Sequence, residues 1–232
     1  MDYLVTGANR GIGLELVRHL LARGDRVFAT CRRPDAATDL HDLEAQYPDG
    51  QLVIVTLDVT APASIDACVA AVAKQTAGVD ILINNAGVGG TGEELGSITQ
   101  EALISRYLVN AAGPLLMAQA FLPLVKAGEG KIIVNLSSGA GSITYRNSAG
   151  LYAYAASKAA LNMHNKNLSL AVAEEGITSI VMDPGWVKTD MGGPDAQIMP
   201  ETSVTGMLKV IDDLTLEDSG TFFNYQGGTV PW

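Results

Sequence analysis

A single doubly wound α/β domain, a parallel sheet of about seven strands with helices on both faces, is what this sequence predicts, and three observations predict it. Short β-branched apolar runs recur along the chain, helix-forming segments separate them, and the glycine-rich pieces fall where strands end. Runs that are continuously apolar, rather than alternating, belong to strands buried on both faces by crossover helices.

The runs are Tyr3 to Val5, Arg26 to Thr30, Leu52 to Leu57, Ile81 to Ile83, Lys131 to Leu136 and Ser179 to Met182, with a seventh strand expected after them. The helices are Ile12 to Arg23, about Asp39 to Gln46, Pro62 to Thr76, Gln100 to Lys126, Tyr154 to Glu174 and Thr202 to Leu214. Pro62 suits a first helical turn, while Gly24 and Gly176 follow helix ends, where a left-handed residue closes the last turn. The βαβ order calls for right-handed crossovers. No composition shift, repeat or low-complexity tract divides the chain, so residues 1–232 are read as one domain.

A composition of 47% hydrophobic and 17% charged residues is that of a water-soluble globular protein. No basic, apolar leader precedes Tyr3 and no apolar stretch reaches the ~20 residues of a membrane span, so a cytoplasmic protein without a span is expected. Cys31 and Cys68 form no CxxC, which suggests neither a disulfide framework nor a zinc site. His19, His41 and His164 fall in separate helices without carboxylate or cysteine partners at ligand spacing, so no metal site is expected. The net charge of −10 argues against nucleic-acid binding, which depends on clustered cations neutralising phosphates. Yet six of the eight arginines (Arg10, Arg18, Arg23, Arg26, Arg32 and Arg33) lie in the first 33 residues, opposed only by Asp2, Glu15 and Asp25.

Two motifs carry chemistry. Thr6-Gly7-Ala8-Asn9-Arg10-Gly11-Ile12-Gly13 joins the first strand to the first helix, where glycines permit close backbone approach and free N–H groups favour a pyrophosphate. Its spacing is TGxxxGxG rather than GxGxxG. Tyr154-Ala-Ala-Ser-Lys158 places a phenol and an ammonium on one helix face, a pair able to give and take a proton. Tyr145 and Tyr152 lack a lysine four residues on, and Ser137 precedes Ser138 at a strand end, so it faces the opposite way.

With these motifs, Asn84-Asn85-Ala86-Gly87, Asn110, Ser137-Ser138 and Pro184-Gly185 with Thr189 follow in order, and the chain resembles the short-chain dehydrogenase/reductase family over nearly its whole length. The resemblance implies a Rossmann fold and a catalytic set of Asn110, Ser138, Tyr154 and Lys158. Tyr154 would protonate the substrate oxygen and Ser138 would hydrogen-bond it. Lys158 would lower the tyrosine pKa and bind the nicotinamide ribose, and Asn110 would disturb its helix and hold a water that links Lys158 to solvent. It implies a dinucleotide held by Gly7, Asn9, Arg10, Gly11, Ile12, Gly13, Arg32, Asp58, Val59, Asn85, Ala86, Gly87, Tyr154, Lys158, Pro184, Gly185, Val187 and Thr189.

An NAD enzyme of this architecture places an acid at the end of the second strand. Here that end reads Ala29-Thr30-Cys31-Arg32-Arg33, so NADP(H) is expected over NAD(H), with Arg10 and Arg32 on the 2′-phosphate and Arg33 facing solvent. The C-terminal part resembles the branch of sniffer-type carbonyl reductases and bacterial C-signal proteins. NADPH-dependent reduction of small aldehydes or ketones is therefore expected. A C-signal-like interaction protein that retains a dinucleotide site and an NAD-linked alcohol dehydrogenase are the rival readings. Tyr145, Trp186, Met191 and Ile198 are expected to line the substrate side, under an open or mobile lid after Thr189. In the family the two long helices pair across a two-fold axis, so a homodimer, or a homotetramer, is expected.

Overall fold

The computed structural model describes every residue except Pro48, Thr91 and Gly92, the last two within the glycine-rich stretch from Gly87 to Gly96. The described residues form one parallel sheet of β1 (Asp2–Thr6), β2 (Arg26–Cys31), β3 (Leu52–Thr56), β4 (Ile81–Asn84), β5 (Ile132–Leu136), β6 (Thr178–Asp183) and β7 (Phe222–Asn224). The strand order is β3-β2-β1-β4-β5-β6-β7. It reverses between β1 and β4, the switch point where such sheets bind ligands beyond the strands' carboxyl ends.

Both faces of the sheet are covered, which is why the strands read as unbroken apolar runs. Tyr3 and Val5 pack on one side with Leu16 and Leu20 of α1 (Gly11–Ala22), Leu40 of α2 (Thr38–Gln46) and Met207 of α7 (Pro200–Asp212). Leu4 and Phe28 point the other way, onto Ile65 and Val72 of α3 (Pro62–Ala73) and Phe121 of α5 (Gly113–Ala127). The remaining helices are α4 (Gln100–Tyr107) and α6 (Tyr152–Ala171).

Two departures from the expected elements bear on the site. The helix read as one piece from Gln100 to Lys126 is divided by a π turn at Leu108–Ala112, between α4 and α5, which is where the disturbance at Asn110 was expected. And α6 starts at Tyr152, two residues early, from Leu151 in the left-handed region at φ 54°. The expectation that no apolar stretch reaches membrane-spanning length also needs correction. Gln100–Ala127 is long enough and contains an 18-residue window with a mean hydropathy of 1.6. Its Met117, Ala118, Phe121 and Val125 are buried in the core, which is the behaviour of a central helix of the packed layer.

Candidate active site

A cleft of about 610 Å³ opens at the switch point. Its floor is the glycine loop, where Gly7 and Gly11 hold φ +65° and +56°, conformations that cost a side-chain-bearing residue strain. A Cβ on Gly13 would run into Gly7 O and Asn85 Nδ2, so Gly13 serves close packing under the loop rather than the cleft wall. Asn85 pins the loop, its Nδ2 donating to Thr6 O at 2.7 Å and Gly7 O at 3.0 Å. The N-terminus of α1 has no side-chain cap and no acid in its first turn. Bare backbone donors above a glycine cradle fit a dinucleotide pyrophosphate.

The four expected catalytic residues converge at the other end. Lys158 and Tyr154 line the cleft, the lysine Nζ lying 5.9 Å from the phenol ring centroid. Ser138 lies close enough to the Tyr154 phenol to oppose the rise of its pKa, and its Oγ accepts from Ala140 N at 3.1 Å. Ser137 also borders the cleft, but its hydroxyl is committed elsewhere, donating to Asn162 Oδ1 at 2.7 Å. Lys158 Nζ donates to Leu136 O at 2.8 Å. Asn110, in the π turn and fully buried, accepts from Val88 N at 2.8 Å and donates to Val88 O and Ser157 Oγ. The disturbed helix thus tethers the loop after β4 to the helix that carries the Tyr–Lys pair.

A family model described as short chain dehydrogenase matches residues 3–198. The chain belongs to the short-chain dehydrogenase family. Among its relatives are an uncharacterized oxidoreductase of Schizosaccharomyces pombe, 36% identical over 99% of this chain and 97% of its own length, and the C-signal protein of Myxococcus xanthus, 45% identical over 68% of this chain and 95% of its own. Two solved structures share the fold throughout. The NADPH-bound carbonyl reductase from chicken fatty liver has a TM-score of 0.94 and 42% identity, covering 100% of this chain and 98% of that one. Carbonyl reductase Sniffer of D. melanogaster has a TM-score of 0.95 and 34% identity, covering 100% and 99%.

In this short-chain dehydrogenase the protonation states follow from burial. Desolvation raises the Tyr154 phenol above its ordinary 10.0, the Ser138 side chain opposes this, and nearby Asp183 adds to the rise. The expected lowering by Lys158 is therefore not what this geometry produces; the ammonium sits over the ring and spends its bond on Leu136 O. Burial lowers Lys158 from 10.5 to about 8, against the pull of Asp183. The unfolded chain keeps the lysine proton up to about 10.5 while the folded one releases it near 8, so this group's contribution to stability grows as pH rises between those values. In urea melts without nucleotide, wild-type protein is expected to gain stability relative to Lys158→Met over that window. Parallel curves would mean that Lys158 titrates like a solvated lysine.

Of the remaining expected residues, Asn9, Arg10, Ile12, Arg32, Asp58, Val59, Ala86, Gly87, Pro184, Thr189 and Met191 line the cleft. Gly185 and Val187 lie beneath it: Gly185, at φ +79°, packs on Tyr225 and Ile198, and buried Val187 bridges to Ile198. Ile198 is therefore a loop anchor, not a lining residue. Tyr145 and Trp186 are corrected too, being 55% and 54% exposed and outside the cleft, with Trp186 Nε1 donating to Gly192 O at 2.8 Å. That bond, with Lys188 N to Ile198 O at 2.8 Å and Gly193 N to Thr189 O at 2.9 Å, ties down the segment expected to be an open or mobile lid. His19 and His41 do meet carboxylates, Glu15 and Glu44, each at 3.2 Å. These are one-to-one contacts, and among the described residues no three His, Cys, Asp or Glu side chains cluster to hold a metal.

The sequence reading missed Asp183 and Asp190. Asp183, at the end of β6, accepts from Gly185 N at 3.0 Å, and burial raises its pKa. Asp190 reaches Arg10 at 3.3 Å. Both adjoin motif positions, Asp183 just before Pro184-Gly185 and Asp190 just after Thr189, so adjacency was the available signal.

Proposed function

We propose that this protein reduces the carbonyl group of small aldehydes or ketones to alcohols, with NADPH as reductant and Tyr154 as general acid. The placement of Tyr154 carries the reading. It is a protonated phenol, near Ser138 and beside a buried cation, on the wall of a cleft whose far end presents Arg10 and Arg32. Bound NADPH would supply the hydride. As charge develops on the substrate oxygen, Tyr154 gives up its proton to it and Ser138 donates a hydrogen bond. A phenol kept neutral by burial suits the reductive direction.

Lys158 would hold the nicotinamide ribose and, with Asn110, return the proton from solvent. Supporting this, a methyl-sized position off Gly87 lies 3.4 Å from Asn110 Oδ1 and 3.9 Å from Lys158 Nζ, so both polar atoms border the same short stretch of backbone. The carbonyl reductases that share the fold throughout favour this class of reaction over NAD-linked alcohol oxidation. Turnover with NADPH across aldehydes, ketones and quinones tests the reading. If no carbonyl is reduced, a C-signal-like role gains, a reading favoured by 45% identity to that protein over 68% of this chain.

Exposed Leu103, Ile104 and Tyr107 of α4, Leu116 of α5 and Met163 of α6 support a homodimer through the helical faces. Light scattering that finds only 24.3 kDa particles would remove that assignment.

A further inference from the structure

A helix that positions a catalytic tyrosine in its first turn needs that turn held, and α6 cannot hold its own. Its N-cap position is Leu151, an apolar residue in the left-handed region with no side-chain cap, and its first turn contains no acid. The first N–H groups of a helix need partners from elsewhere. Glu93, some 60 residues upstream in the loop between β4 and α4, supplies them. Its Oε2 accepts from Ala153 N at 2.7 Å and Tyr154 N at 3.4 Å, the two N–H groups that an N-cap side chain ordinarily serves. Its negative charge also suits the positive end of the helix.

The carboxylate is itself held in place. Its side chain is only 6% exposed, and Oε1 lies 3.9 Å from Arg106 Nε, which donates to Gly89 O at 3.0 Å. Gly90 closes the contact from the cleft side: a Cβ there would meet Glu93 Oε1 at 2.7 Å and Tyr154 Cβ at 3.0 Å. The glycine wall, the carboxylate and the base of the tyrosine therefore form one packed unit.

We propose that Glu93 is a positioning residue, a cap delivered from another part of the chain that fixes the first turn of α6 and thereby aims Tyr154 into the cleft. The inference rests on the reading of Tyr154 as general acid. Lys158, one turn deeper, is anchored independently through Leu136 O, so nucleotide binding does not depend on the cap.

The test measures kcat with a reducible carbonyl, the NADPH dissociation constant, and amide hydrogen exchange at Ala153 and Tyr154 in three variants. Misplacing a catalytic group by an ångström can cost about 100-fold, so Glu93→Ala is expected to lower kcat by about 10-fold or more. Its exchange at both amides should speed up while the NADPH dissociation constant stays near wild type. Glu93→Gln keeps an oxygen at the same reach and is expected to restore both kcat and protection. Glu93→Asp keeps the charge but falls a methylene short, and should behave like Glu93→Ala. Should Glu93→Ala not fold, the Gln and Asp variants decide. Wild-type kcat in Glu93→Ala overturns the proposal, with or without faster exchange, as does protection by Asp but not Gln. If wild-type protein turns over no carbonyl, the reading of Tyr154 fails instead, and unchanged exchange in Glu93→Ala would separately remove the cap.

Discussion

Tyr154→Phe is expected to lower kcat for carbonyl reduction by about 10²–10⁴-fold, the range that a general acid contributes, with the NADPH dissociation constant nearly unchanged. The size of the effect can be assigned to chemistry because the substitution disturbs little else. Phenylalanine fills the same volume, so no cavity opens. Ser138 Oγ keeps its bond from Ala140 N, and Lys158 Nζ keeps Leu136 O, so neither is stranded when the phenol oxygen goes. Thermal stability should therefore stay close to wild type. Steady-state kinetics with whichever carbonyl the NADPH panel identifies provides the measurement. Wild-type turnover in the variant would remove Tyr154 from the mechanism, whereas loss of both turnover and nucleotide binding would point to a collapsed site.

How far the sequence could be read depended on the range of the interactions involved. Parallel strands buried on both faces leave an unmistakable apolar run, so the fold class was legible, and the glycine loop and the Tyr–Lys pair are local motifs whose residues meet in one cleft. The π turn at Leu108–Ala112 was legible only through the family resemblance, which put a helix disturbance at Asn110, because one added residue in a turn hardly changes hydrophobic spacing over a 28-residue helical stretch. Leu151 starts α6 at φ 54°, a conformation no sequence rule expects of leucine, and it hid the helix start by two residues.

The substrate side shows the same limit more sharply. Tyr145 and Trp186 look like pocket residues because they are large and flank the site in sequence, yet a loop's path decides which way they point. Trp186 turns outward because Gly192 O captures its indole N–H. Glu93 was invisible for the opposite reason: an acid in a glycine-rich loop normally faces water, and only the docking of α6 against that loop gives it two backbone donors. Burial likewise overrode the family-based expectation for the Tyr154 pKa, since a spacing specifies which groups are near but not how much water surrounds them.

Arg32→Asp carries the second large expectation: NADPH affinity should fall by about 100-fold or more, with NADH affinity held or improved. Arg32 stands exposed on the cleft wall at the end of β2, and among the described residues its guanidinium has no hydrogen-bond or ion-pair partner, so it is free to take a 2′-phosphate. A charge-assisted bond contributes roughly 1.5–3 kcal/mol, about a 10- to 150-fold change in affinity, before the repulsion of an introduced carboxylate is counted. Arg10 should matter less. It already shares its guanidinium with Asp190 at 3.3 Å, and both side chains are largely exposed, so its phosphate bond replaces an existing ion pair. Asp58 is the opposing influence, a carboxylate near Arg32 whose pKa is held below its usual range chiefly by the Thr60 hydroxyl and backbone, and by Arg32 only last. Thr60 engages Asp58 Oδ1 at 2.7 and 2.9 Å, and no hydrogen bond joins that acid to the guanidinium, which would leave Arg32 available to a phosphate. Fluorescence titration of wild type, Arg32→Asp and Arg10→Ala with both nucleotides would show the ranking. Equal wild-type dissociation constants for NADPH and NADH would overturn the cofactor assignment outright, and a larger effect at Arg10 than at Arg32 would move the phosphate to the glycine loop.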